Sequence, residues 1–328
     1  MNSRRPFIIG ALATLSSLML PHAGAAQDWP TQPVTIVVPY APGGAVDIMG
    51  RALAEKLAIR WKQPVVVDNR AGGTEVIAAN AVARAKPDGY TLFLATEVGL
   101  ETNPFLFSKL PYNPSKDFTL ITRVIEGPLV YVVRSDSPIR TIQELVQKAK
   151  EHPNQISYGS SGPGGSVHLA VNWFAIASGN TPFTHVPYRG SAPAVQDVLA
   201  GIVQFTAAPL SLLAPFIKEN RLRAIATSGS TRIRTLPDVP TLTESGYKDS
   251  VIQYMFGLVG PAKMAPELAE RIANDVASVM HDPEFLARNV EPNGFSLAVE
   301  TPKQFERYLN DDREITKVRV KAANVQLD

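Results

Sequence analysis

The chain has 328 residues, 45% of them hydrophobic, which is enough for two domains of ordinary size, each with its own core. Of its 32 basic residues two, Arg4 and Arg5, lie in the first 26 positions, which hold no acid; the remainder balances 30 basic against 30 acidic residues. That balance, with no sustained basic run, excludes wholesale binding to nucleic acid or anionic membrane, and the absence of cysteine excludes disulfides, thiolate metal sites and a cysteine nucleophile.

Residues 1–26 read as a signal peptide. Arg4 and Arg5 precede an apolar run from Phe7 to Leu20, and small residues follow through Ala26, where cleavage is expected. The apolar run is short for a bilayer span. Ser3 to Ile8 also resembles the twin-arginine pattern, which would mean export after folding; arginine pairs occur in ordinary signals too, and both routes stay open.

Beyond the leader, strand-like and helix-like segments alternate. Strands are expected at Val34–Tyr40, Val65–Asp68, Thr91–Ala95, Phe118–Ile125, Leu129–Val133, Ile156–Gly159, Thr184–Val186, Val203–Thr206, Ala224–Ala226 and Gln253–Val259. Helices are expected at Ala45–Arg60, Thr74–Ala85, from Thr141 to about Lys150, Ser166–Ser178 and Ala192–Gly201, then from near Ala265 and Pro302. This alternation implies an α/β protein whose sheets are mostly parallel and flanked by helices. The helical tail with its single strand completes a domain begun earlier. Crossings near Ile125–Gly127 and Ser250–Gln253 divide the chain into lobe 1, 27–126 plus 252–328, and lobe 2, 127–251, joined by a two-strand hinge.

Three Gly/Ser-rich turns pass from an inferred strand into a helix: Pro39 to Asp47, Gly159 to Ser166 and Tyr188 to Ala194. Any one of them is explained by turn geometry alone. Three together make an anion cradle, because each helix start leaves about four unpaired N–H groups and a partial positive charge of roughly half an electron. Carboxylate fits better than phosphate, since no phosphate-loop signature or loop lysine occurs.

Enzyme readings are weak. Gly159-Ser160-Ser161-Gly162-Pro163 has proline where a nucleophile elbow needs glycine, and no histidine pair has metal-ligand spacing. His168 reads as a packed or capping residue. Asp47 either caps its helix or orients a ligand-bridging water. No metal and no cofactor is expected.

The segments Pro39 to Asp47, Pro87-Asp88-Gly89-Tyr90-Thr91-Leu92, His185 to Ala194 and Leu236-Pro237-Asp238-Val239-Pro240-Thr241 resemble those of the substrate-binding proteins of tripartite tricarboxylate transporters, the Bug or TctC family. The resemblance covers essentially the whole mature length. It implies a two-lobed type II periplasmic-binding-protein fold and a periplasmic, monomeric receptor that is not an enzyme. Such a receptor hands a small carboxylate, a dicarboxylate or an aromatic carboxylate, to the membrane subunits of a tripartite tricarboxylate-type transporter. A ligand-binding partner of a sensor kinase and an exported hydrolase stay as alternatives.

Carried over position by position, the resemblance implies ligand contacts from Tyr40, Ala41, Pro42, Gly43, Gly44, Ala45 and Asp47 in the first lobe, partly through water. Ser160, Ser161, Ser166, Tyr188, Gly190, Ser191 and Ala192 would hold a carboxylate from the second. Asn103 matches a family asparagine near the pocket, and Glu97 lies on the same inferred loop. Two departures stand out. Phe205-Thr206-Ala207-Ala208-Pro209 lacks an acid the family often carries, so the wall at Ala207 is expected to be apolar and the ligand not an amino acid. Glu97 and Glu101 would repel a ligand carboxylate if they face the pocket.

Overall fold

The computed structural model describes residues 29–327; the leader reading at 1–26 lies outside them. Strands β1 (Val34–Val38), β2 (Val65–Asn69) and β3 (Thr91–Thr96) alternate with helices α1 (Ala45–Trp61) and α2 (Val76–Ala83). Then comes β4, Phe118–Arg134, a single strand of 17 residues where the sequence suggests two. The second half carries α3 (Ile142–Glu151), β5 (Ser157–Ser160), α4 (Ser166–Ala177), β6 (Thr184–Pro187), α5 (Ser191–Leu199), β7 (Phe205–Pro209), α6 (Leu210–Lys218) and β8 (Leu222–Thr227). The chain closes with β9 (Gln253–Pro261), α7 (Pro266–Met280), β10 (Ser296–Leu297) and α8 (Pro302–Ala323).

All ten strands join one sheet in the order β2-β1-β3-β9-β4-β7-β5-β6, with β8 and β10 also on β4. Its outer parts are parallel, β1 with β2 and β3, and β5 with β6 and β7. Its middle is antiparallel: β9 runs opposite to β3 and to the first part of β4, and β4 continues into the second half, where it runs opposite to β7. Mostly parallel sheets therefore hold only for the outer strands. Strand β4 pairs with β9 from Phe118 to Pro128 and with β7 from Leu129 onward, so the partner change falls at Pro128–Leu129. Among the described residues no helix is long and apolar enough to cross a membrane.

The core follows the strands. In the second half Tyr131 of β4 lies edge-on to Phe174 of α4 with ring centroids 5.4 Å apart, and Phe205 packs between Tyr158 and Phe183. Each such buried aromatic contributes on the order of 2–3 kcal/mol through area removed from water. Their role is to fix the strand ends from which the functional turns project.

Candidate functional site

Helices α1, α4 and α5 start at Gly44, Gly165 and Gly190, and none of these three caps supplies a side-chain hydrogen bond to the first turn. By contrast α3 and α8 are closed by Thr141 and Thr301. Gly190 has φ 123°, a conformation that side-chain-bearing residues resist. The three uncapped starts meet in one cleft of about 580 Å³, its open mouth included, lined by Gly44, Ala45 and Val46, by Ser166 and Val167, and by Ser191, Ala192 and Pro193. Tyr40, Ala41, Ser161 and Gly190 complete that side, while Leu129, Pro209, Tyr254 and Phe256 form an apolar wall and Thr96 part of the floor. No lysine or arginine lines it. Unpaired helix amides are thus the cleft's means of holding a negative charge.

The two halves touch across this cleft. Ser166 Oγ donates to Glu97, Thr74 Oγ1 donates to the Pro163 carbonyl at 3.3 Å, and Gly164 packs so closely on Leu106 that a Cβ there has no room.

Nine of the sequence-derived residues line the cleft: Tyr40, Ala41, Gly44, Ala45, Ser161, Ser166, Gly190, Ser191 and Ala192. The others sit elsewhere. Pro42 and Gly43 are exposed on the rim. Asp47 is buried and accepts from the Gly43 amide, Arg51 and Asn69; although burial raises its pKa, these bonds hold the carboxyl below its usual range. It ties α1 to β2 and does not reach the cleft. Tyr188 donates to Asp197 at 2.5 Å and faces a neighbouring groove with Thr74 and Gly162. Asn103 is spent inside the first half, donating to the Thr74 carbonyl and to Tyr112 Oη. Ala207 is fully buried in β7 opposite Tyr131, so the apolar wall comes instead from Leu129 and Pro209.

Ser160 faces away from the cleft as well. Its Oγ lies 2.5 Å from His185 Nε2, and the His185 ring stacks on His168 with centroids 3.9 Å apart. His168 Nδ1 accepts from the Gly164 amide at 2.9 Å, bracing the turn that leads into α4. Burial lowers both histidines to about 4, His168 also through its neighbour His185. The pair is therefore neutral. A histidine with a depressed folded pKa stabilises fully above its unfolded value near 6.5 and loses that stability as pH falls toward 4. Glu97, with a raised pKa, has the opposite slope, so the histidines show in a difference: His168→Leu is expected to resist acid relative to wild type between pH 6.5 and 4 in urea unfolding. Equal acid dependence of the two proteins would mean that the ring pair does not titrate with unfolding.

Three acids of the first half, Glu97, Glu75 and Glu101, are withdrawn from solvent. Glu97 is lifted to about 7 by burial, against hydrogen bonds from Ser166 and the Met255 amide and with help from the Glu75 charge. Glu75, which the sequence reading placed only at a helix start, is buried, accepts from Thr96 and Tyr40, and is raised by burial. Glu101 is buried with no hydrogen-bond partner for either oxygen, so its pKa is also raised by burial, then by Asp312 and Glu97. Glu97 therefore reaches the cleft through Ser166, whereas Glu101 is absent from its lining. Val46, Thr96, Leu129, Val167, Pro193, Pro209, Tyr254 and Phe256 also line the cleft; most are apolar and nothing in their sequence context marks them as lining residues.

The family model described as tripartite tricarboxylate transporter family receptor matches residues 49–325. The UPF0065 protein in the tcbD-tcbE intergenic region of Pseudomonas sp. strain P51 is 34% identical over 284 residues, 86% of this chain and 84% of that protein. The R. palustris protein Rpa4515, solved with adipate, superposes with a TM-score of 0.87 at 28% identity, covering 91% of this chain and 99% of the other. The periplasmic binding protein BugD gives a TM-score of 0.85 at 29% identity, with 91% and 99% covered.

Proposed function

The chain belongs to the tripartite tricarboxylate transporter receptor family, whose members are periplasmic solute-binding proteins, and on that premise we propose that it captures a small carboxylate between two lobes and delivers it unchanged to a membrane transporter. One observation carries the reading. Three helix starts without side-chain caps point into one cleft that has no cationic side chain, an arrangement that rewards a compact anion more than a neutral solute. The relative solved with adipate supports a carboxylate, and the wall of Leu129, Pro209, Tyr254 and Phe256 suits an aliphatic or aromatic body.

Lobe 1 comprises 27–126 plus 252–328 and lobe 2 comprises 127–251 in this reading, with β4 and β9 as the two hinge strands. The change of partners at Pro128–Leu129 supports it. Export follows from the leader, and the partner is the membrane subunits of a tripartite tricarboxylate-type transporter. Hydrolysis is not favoured: the serine nearest a histidine, Ser160, faces away from the cleft, and no histidine lines the cleft with its serines Ser161, Ser166 and Ser191.

The test is thermal unfolding of the mature protein, purified without refolding, across a panel of mono-, di- and aromatic carboxylates. A ligand at a hundred times its Kd adds about 2.7 kcal/mol and a clear rise in Tm. No rise with any carboxylate at millimolar concentration would remove this ligand class.

A further inference from the structure

Ser166 has one hydroxyl proton, and a bound carboxylate would compete for it. In the structure that proton goes to Glu97, whose other oxygen accepts the Met255 amide at 3.1 Å. Ser166 is also the first residue of α4 and lines the cleft, so a ligand carboxylate at this helix start stands beside its hydroxyl. While Glu97 is ionised, the hydroxyl can only accept from the ligand side, and a second anion would be pressed against the first.

No cation relieves this. Besides Ser166 and the Met255 amide, the groups that act on Glu97 or are acted on by it are Glu75, Tyr40, Glu101, Tyr254 of β9 and Tyr308 of α8, all of them acids or phenols. Arg123 is committed to Glu126 and Glu300. His168, two residues along α4, is turned to the Gly164 amide and the His185 ring. A proton on the Glu97 oxygen that faces Ser166 resolves the conflict. The Glu97 hydroxyl then donates to Ser166 Oγ, and the Ser166 hydroxyl donates to the ligand.

We propose, building on the carboxylate-receptor reading, that a carboxylate enters this cleft together with one proton from solvent, which lodges on Glu97 and turns the Ser166 hydroxyl from Glu97 to the ligand. Glu97 is thereby a positioning residue that acts through Ser166. Because burial already brings it to about 7, the uptake falls in the neutral range.

The experiment is calorimetric titration with adipate, whose carboxylates stay ionised above about pH 6.5, in buffers of different ionisation heat. Uptake is expected to approach one proton per ligand near pH 8 and to shrink toward zero near pH 6.5 and below. Affinity should fall about tenfold per pH unit above about 7. Glu97→Gln, whose amide donates to Ser166 as the protonated acid would, should bind adipate more tightly than wild type at pH 8, with no proton uptake and no slope with pH. Ser166→Ala should bind more weakly and take up less than half the wild-type protons. Wild-type binding without uptake at pH 8, or a Glu97→Gln protein that keeps the wild-type slope, overturns the proton coupling and leaves the receptor reading standing. Absence of binding at every pH, for wild type and Glu97→Gln alike and with every carboxylate of the panel, overturns both.

Discussion

Ala192→Glu is expected to lower carboxylate affinity by roughly a thousandfold while leaving the melting temperature equal or slightly raised. Ala192 is the second residue of α5, half-buried, and lines the same cleft as the starts of α1 and α4. A glutamate there can turn its carboxylate onto the amides that the ligand would use. Two unit charges about 4 Å apart at an effective dielectric near 20 repel by about 4 kcal/mol, close to three powers of ten in affinity. The same charge at a helix start adds roughly 0.3–1 kcal/mol to the fold. Binding and stability thus move in opposite directions, which a merely disruptive substitution would not produce. Ala192→Gln separates charge from bulk: it should cost much less affinity than glutamate, and the glutamate penalty should shrink in high salt. Equal losses for the two variants would show that space, not charge, limits the cleft, and the anion cradle would lose its main support.

The sequence shows the three turns plainly because each carries glycine, and the second and third serine as well, residues whose backbone freedom and small size the geometry demands. Which side chains of those turns reach the cleft is harder to read. Ser160 and Ser161 are adjacent at the end of β5, and successive side chains of a strand point to opposite faces, so both could not enter one cleft. Ser161 lines it and Ser160 meets His185. Ala207 and Pro209, two residues apart, share one face of β7, but Ala207 is buried within the strand opposite Tyr131 and only Pro209, at the strand's end, reaches the cleft wall.

Other elements escape pattern reading for different reasons. Helix α6 begins directly after Pro209 and contains Pro215, so neither a polar cap nor an unbroken helical period announces it. The segment Val98–Thr102 is a π-helical turn, whose five-residue hydrogen bonding matches neither the strand nor the helix period. That turn carries Glu101 into the interior and leads into Asn103, which explains why a loop reading could not say where either side chain would go. Strand β4 was legible as two strands because Glu126-Gly127-Pro128 interrupts its apolar run, although the backbone continues through it. Family resemblance supplied the second-lobe turn as a unit; only the packing shows that its tyrosine, Tyr188, looks to the neighbouring groove.

Arg123→Ala is expected to cost about 3 kcal/mol of stability, with loosening concentrated where the crossing strand meets the C-terminal helix. Arg123 sits in β4 and is 8% exposed. Its Nε and one terminal nitrogen hold both oxygens of Glu300 at 3.1 and 2.7 Å, the other terminal nitrogen holds Glu126 at 2.7 Å, and the guanidinium lies 3.8 Å above the Tyr308 ring. One side chain therefore joins the first part of β4 to the segment entering α8, which packs on α4. Removing it leaves Glu126 and Glu300 facing each other without a cation. Breaking a buried pair in this way costs about 3–5 kcal/mol, and the partial exposure of both acids places the value at the lower end. Arg123→Lys should recover only part of the loss, since an ammonium keeps the charge but forms neither the two-pronged bond nor the flat stack on Tyr308. Urea unfolding measures both variants, and hydrogen exchange should show the amides of the Pro302–Ala323 helix opening before those of the core strands. A loss under about 1 kcal/mol for alanine would mean that water already screens the cluster, and the C-terminal helix would then be held chiefly by its buried apolar residues Phe305, Leu309 and Val320 and by its Thr301 cap.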